Sequence, residues 1–195
     1  VIHVDKSIDP PGRYMTIFPQ IPDRGFDVNY KIEWTFPREV AAIDVGDVSP
    51  EAGRELVFIT EKGVSYASLS AGKVSVLREI IPVSSVVAIA YDRGVPYYNF
   101  VRDYTGDGKD DIMVAGFSEA VLAKQIEGYK FSEQKILLRP SMDIQTWDVE
   151  KLFGISKHPL FQVTYYVPQV HSSDINADGL PDLIVNFQSL VDFQN

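Results

Sequence analysis

The chain has 195 residues, 45% hydrophobic and 12% aromatic, enough apolar content to bury a core and to argue against disorder. Its 18 basic and 27 acidic side chains give a formal net charge of −9, which argues against nucleic acid or an anionic membrane as the main partner and favours cations. No apolar run approaches the roughly 18 residues of a membrane span, and the absence of cysteine excludes disulfides and thiolate metal sites.

Val1 opens the chain with neither an initiator Met nor a signal-peptide pattern, so the expectation is a trimmed sequence. Residues 1–36, Pro-rich between Asp9 and Pro22, read as irregular connections or as outer strands of a neighbouring unit. From there, β-branched and aromatic runs broken by Gly, Pro, Asp or Ser predict strands: "ELVFIT", "VSYASL", "KVSVLREI", "VSSVVAIAY", "DIMVAGF", "FQVTYYV" and "DLIVNF". The fold class expected is all-β. The exception is "TWDVEKLFG" at 146–154, where Thr146 would cap and Gly154 would end a short helix docking Trp147, Leu152 and Phe153. It predicts an inserted excursion over 140–160.

Internal repetition organises the rest. From Asp103 the chain reads "DYTGDGKDDIMV", and from Asp174 it reads "DINADGLPDLIV". Asp103, Thr105, Asp107, Gly108 and Asp111 align with Asp174, Asn176, Asp178, Gly179 and Asp182. Upstream, "DVSPEAGRELVF" places Asp47, Ser49, Glu51 and Glu55 at the matching oxygen-bearing positions but puts Ala52 where the others have Gly. A strand-like segment precedes each copy, "EVAAIDVG", "VPYYNFVR" and "FQVTYYVPQV". The implied unit is strand, acidic loop, strand, then about two further strands, dividing the chain into blocks 37–82, 83–139 and a partial block 161–195.

Oxygen atoms at positions 1, 3 and 5 of a tight loop, a Gly at position 6 and a carbonyl at position 7 suit a hard cation. An EF-hand would end in a bidentate Glu at position 12, where this chain has Val114 and Val185, so neither loop is one. Asp111 and Asp182, at position 9, would instead close the site from the outgoing strand. The competing reading is an ordinary hairpin turn, since Asp-Gly pairs and Asx turns need no metal. The matched oxygens in two copies favour the cation, whereas Ser49, Glu51 and Ala52 favour the plain turn in the first.

These motifs resemble the FG-GAP or VCBS-type repeats that build blades of calcium-binding β-propellers, including the integrin α-subunit head. The resemblance covers 40–80, 95–139 and 161–187. It implies blades of four antiparallel strands with Ca2+ in the loop between the first and second strands. The ligands implied are Asp103, Thr105, Asp107, the Lys109 carbonyl and Asp111, then Asp174, Asn176, Asp178, the Leu180 carbonyl and Asp182. Thr105 departs from the usual Asn or Asp. Propellers need four to eight blades, so the expectation is a segment of a larger propeller completed by further chain or by another subunit.

No nucleophile elbow, zinc-protease helix or P-loop is present. His3, His158 and His171 are unclustered in sequence, and in the pair Asp110 and Asp111 the first is expected to be solvated. Strand packing accounts for Tyr97, Tyr98, Phe100, Tyr165 and Tyr166 better than carbohydrate stacking does. The function expected is a noncatalytic, calcium-stabilised binding, adhesion or scaffold module for a protein or carbohydrate ligand, with no nucleic acid and no membrane insertion. The alternative is the propeller portion of a secreted, calcium-dependent polysaccharide lyase or hydrolase. Calcium loops of extracellular modules bind at about 10⁻⁴ to 10⁻³ M, which points to export, whether periplasmic, cell-surface or secreted.

Overall fold

The computed structural model describes residues 1–116, 119–137 and 161–193. The helix expected at 146–154, with the excursion over 140–160, lies outside the described residues. Those described form strands, turns and irregular segments with no helix, in antiparallel sheets of two to four strands.

Strands β1 (Ile2–Asp5), β2 (Gly12–Ile17) and β5 (Ile32–Thr35) form a three-stranded sheet, order β1-β2-β5, and β3 (Gln20–Ile21) pairs with β4 (Gly25–Phe26). The next sheet is a meander of β6 (Val40–Gly46), β7 (Glu55–Thr60), β8 (Gly63–Ala67) and β11 (Arg78–Ile81). A small hairpin of β9 (Leu69–Ser70) and β10 (Lys73–Val74) interrupts it, so "KVSVLREI" is two short strands and not one. A second meander follows, β12 (Val101–Arg102), β13 (Asp111–Ala115), β14 (Glu119–Ile126) and β15 (Lys130–Leu137). Strands β16 (Phe161–Ser173) and β17 (Asp182–Phe193) pair as a ribbon, with a register shift between Tyr166 and Gln169.

Sequence alone misassigns one segment and overextends another. "VSSVVAIAY" forms no strand, although Val83, Val87 and Ile89 pack on the core. Its apolar run reports burial, which does not require a ladder. "VPYYNFVR" likewise contributes only the short β12 and a bridge from Tyr97 to Ile43.

Three cores place the sheets in series. Met15, Phe36 and partly buried Trp34 meet Ile43 and Phe58 between the N-terminal sheet and the first meander. Ala42, Val57 and Ile59 meet Val101, Ile112 and Val114 between the two meanders. Met113 and Leu122 meet Val170 between the second meander and the ribbon. Ile112 and Val114 therefore face one neighbour and Met113 the other, as the two-residue period of a strand requires. Strands covered on both faces read as continuous apolar runs, as in "DIMVA". Each fully buried Val, Ile or Phe contributes roughly 1.5–3 kcal/mol, and Phe58→Ala would remove about 3–5 kcal/mol.

The seam between the meanders is polar as well as apolar. Asp44 is fully buried, and its Oδ2 accepts the Phe100 and Val101 N–H groups at 2.7 and 2.8 Å. Gly46 permits the close approach, since a Cβ there would lie 2.2 Å from Val101 Cγ1. The acidic loops between β6 and β7 and between β12 and β13 are thereby held on a common scaffold.

Candidate metal centre

In the second loop, Asp103 organises the turn through its own carboxylate. Oδ1 accepts the N–H groups of Thr105, Gly106 and Asp107 at 3.3, 2.7 and 3.1 Å, and Oδ2 accepts that of Gly108 at 2.7 Å. The third loop repeats the pattern in part: Asp174 Oδ1 accepts Asp178 N–H at 3.2 Å, and Oδ2 accepts Gly179 N–H at 2.9 Å. Position 5 then caps position 7, with Asp107 Oδ1 accepting Lys109 N–H at 3.1 Å and Asp178 Oδ1 accepting Leu180 N–H at 2.8 Å. Asn176 holds Asp178 from position 3, its Oδ1 accepting Asp178 N–H and its Nδ2 donating to Oδ2.

The backbone agrees. Positions 4 and 6 are left-handed in both loops, with φ of 74° and 80° at Gly106 and Gly108 and of 60° and 85° at Ala177 and Gly179. In the first loop position 4 is Pro50, whose ring fixes φ near −65° and forbids this turn. Pro50 is a stronger reason for the divergence of that loop than Ala52, and sequence reasoning could have found it from the proline rule alone. Ser49 Oγ accepts Glu51 N–H there at 3.2 Å, and Arg78 forms an ion pair with Glu51.

Position 9 is common to all three. Its carboxylate accepts the N–H of position 2: Glu55 from Val48 at 2.9 Å, Asp111 from Tyr104 at 3.1 Å, and Asp182 from Ile175 at 3.0 Å. Asp111 also accepts Gln125 N–H from β14 at 2.8 Å. It is fully buried, and that burial pushes its carboxyl above the usual range although both N–H groups favour the charge. Thr105 Oγ1 is buried and lies near enough to favour the ionised Asp111, yet among the described residues it reaches hydrogen-bonding geometry with no partner.

A buried carboxylate short of positive charge and an orphaned hydroxyl at position 3 both fit a cation in the second loop. Among the described residues, however, no three Asp, Glu, His or Cys side chains stand close enough to hold a metal by themselves. The ion would have to draw on the Thr105 hydroxyl or Asn176 amide and on the Lys109 or Leu180 carbonyl as well. Lys124 already supplies a positive charge, its Nζ lying 3.2 Å from Asp107 Oδ2. Burial tends to raise the Asp107 carboxyl, but the Lys109 N–H and Lys124 outweigh it and leave it below its ordinary value.

The loops line one end of the stacked sheets. A Cβ on Gly106 would lie 3.3 Å from Pro181 Cδ, so the second and third loops touch. Asp110 reaches the first loop: its Oδ2 accepts Asp47 N–H at 2.8 Å and pairs with Arg54 at 2.7 Å. Asp110 is thus not solvated as expected from sequence, because its partners come from the neighbouring sheet and no local spacing announces them. The Asp47 charge raises the pKa of nearby Tyr129, whose backbone is itself left-handed at φ 56°. His171 pairs with Ile184 in the ribbon, and among the described residues it belongs to no group of three ligating side chains close enough to hold a metal.

Comparison of the chain with protein-family models, with curated protein sequences and with solved structures finds no match in any of the three.

Proposed function

We propose that the chain is a noncatalytic binding, adhesion or scaffold module whose propeller-type blades are stiffened by Ca2+ in the second and third acidic loops. The observation that carries this reading is the shared construction of those loops: left-handed backbone at positions 4 and 6, a position-1 carboxylate on the turn, and a position-9 carboxylate on the N–H of position 2. A plain hairpin turn needs only its Asp-Gly pair. The orphaned Thr105 hydroxyl and the buried Asp111 carboxylate add chemistry that a hard cation satisfies.

Asp103, Thr105, Asp107, the Lys109 carbonyl and Asp111 would hold one ion. Asp174, Asn176, Asp178, the Leu180 carbonyl and Asp182 would hold the other. The ion contributes loop rigidity and no reaction step. The paired meanders support the blade reading, and further chain or another subunit would complete the ring. Weak calcium loops fill only where calcium is abundant, so the module works outside the cytosol on a protein or carbohydrate ligand.

Thermal melting with chelator and with millimolar calcium tests this, together with Tb3+ luminescence as a direct probe of the loops. Calcium should raise the melting temperature, because metal binds the folded loop in preference to the unfolded chain. Indifference to both additions, with no Tb3+ emission, would leave the hairpin-turn reading.

A further inference from the structure

The outer face of the N-terminal sheet carries a cleft of about 560 Å3 bordered by His3, Asp5, Tyr14, Glu33, Trp34 and Thr35. None of these residues belongs to an acidic loop. The register aligns His3, Tyr14 and Thr35 across β1, β2 and β5, and the two-residue period puts Asp5 and Glu33 on the same face. The opposite face supplies Met15 to the core.

The His3 and Tyr14 rings stack with centroids 5.3 Å apart and planes 19° apart. Tyr14 leans over Gly12, where a Cβ would lie 2.5 Å from its Oη. The absent side chain makes room for the ring. At the margins stand two carboxylates, each with one oxygen engaged: Asp5 Oδ1 accepts Ser7 N–H and Oγ–H, and Glu33 Oε1 meets Lys31 Nζ at 2.8 Å. The Ser7 and Lys31 contacts hold the two carboxyls below their ordinary range. Among the described residues the cleft lining holds no Arg or Lys, although Lys31 reaches Glu33 from the margin and His3 acts electrostatically on both carboxyls.

We propose that this cleft binds a small organic ammonium ion, with the Tyr14 ring as the cation–π surface and Asp5 and Glu33 as the flanking charges. A π face attracts a cation through its quadrupole, and ionised carboxylates around it raise the local cation concentration. A polyol would use the ring and donate hydrogen bonds to the carboxylates, but as a neutral molecule it would gain no net Coulombic attraction and no cation–π contact. The proposal does not depend on calcium in the loops.

The test is an NMR titration of the His3 and Tyr14 ring resonances at low salt. The probes are choline, its uncharged carbon isostere 3,3-dimethylbutan-1-ol, and methyl glucoside. Choline should shift both rings and bind about tenfold more tightly than the isostere, the scale of a partly desolvated cation–π contact. Tyr14→Ala should lose a similar factor. Gly12→Ala should weaken choline binding as well while melting normally, because the three atoms nearest the new methyl all belong to the outer end of the Tyr14 ring, which must swing aside. Asp5→Asn with Glu33→Gln should remove the salt dependence. Equal binding of the isostere or the glycoside, no ring shift at tens of millimolar choline, or full binding by a folded Gly12→Ala variant would each overturn the proposal.

Discussion

Glu55 Oε2 accepts the Val48 N–H at 2.9 Å inside the first loop, although Pro50 denies that loop the turn its two counterparts share. The position-9 carboxylate therefore has a task that precedes any metal: it ties the entry of each loop to the strand that leaves it. Glu55 and Val48 are both buried, so the bond forms where water cannot replace it.

Glu55→Ala should cost about 2–4 kcal/mol, since it strands a buried N–H and opens a cavity. Glu55→Gln should retain most of the stability because its amide oxygen can still accept. Urea denaturation of both variants checks this. A loss below about 0.5 kcal/mol for the alanine variant would mean the bond does not hold the loop.

Strands were legible where both of their faces are buried, as in "ELVFIT" and "DIMVA", because β-branched runs bounded by turn residues have few other uses. The likeness of the second and third loops was legible because their turn needs Asp and Gly at fixed offsets. What escaped depends on partners distant in sequence. Asp110 meets Arg54 of another sheet, and Lys124 meets Asp107 across the β13–β14 pairing. The segment 83–91 was misread because burial of Val83, Val87 and Ile89 yields the same apolar run with or without a ladder.

The loops should respond unequally to loss of position 5. Asp178→Ala removes a proposed anionic ligand and the cap on Leu180 N–H, so it should reduce the rise in melting temperature expected on adding calcium. Glu51→Ala removes a carboxylate that lies close to Ser68 and an exposed ion pair with Arg78, the pair worth at most about 1 kcal/mol, and should leave the calcium response intact. Equal effects in a calcium titration followed by melting would contradict the ranking.

Lys124 pairs with Asp107 and would compete there with the ion proposed for the second loop. Lys124→Met keeps the apolar stem and removes the charge, so Tb3+ or Ca2+ should bind the second loop more tightly, by several-fold given an exposed ammonium in high dielectric. Affinity that is unchanged or weaker would mean the lysine does not oppose the ion.

Burial raises the Asp111 carboxyl. The stability it contributes is therefore complete below the ordinary carboxylate pKa and is lost as pH rises through the higher folded value. Asp107 is shifted downward and acts oppositely, its contribution being present above the ordinary value and lost as pH falls. Without calcium, Asp111→Asn should abolish the loss on the rising side. Saturating calcium should abolish it in the native chain by favouring the carboxylate. Urea midpoints across pH 3 to 7, with and without calcium, measure both effects, and identical profiles for native and variant chains would refute the assignment.

Ala177 holds φ 60° at the position where the second loop has Gly106 at 74°. A left-handed alanine costs roughly 1–2 kcal/mol through its Cβ, whereas replacing alanine by glycine ordinarily costs about 0.4–1 kcal/mol through the freer unfolded chain. The first effect is the larger, so Ala177→Gly should stabilise the protein by up to about 1 kcal/mol, against the usual sign of that substitution. A relaxed turn should also bring the third loop to its ligating shape at less cost and tighten Tb3+ binding. Calorimetry and luminescence titration read the two effects separately. Destabilisation by the ordinary glycine penalty would show that Ala177 does not occupy the left-handed region, and the shared construction of the second and third loops would then fail at position 4.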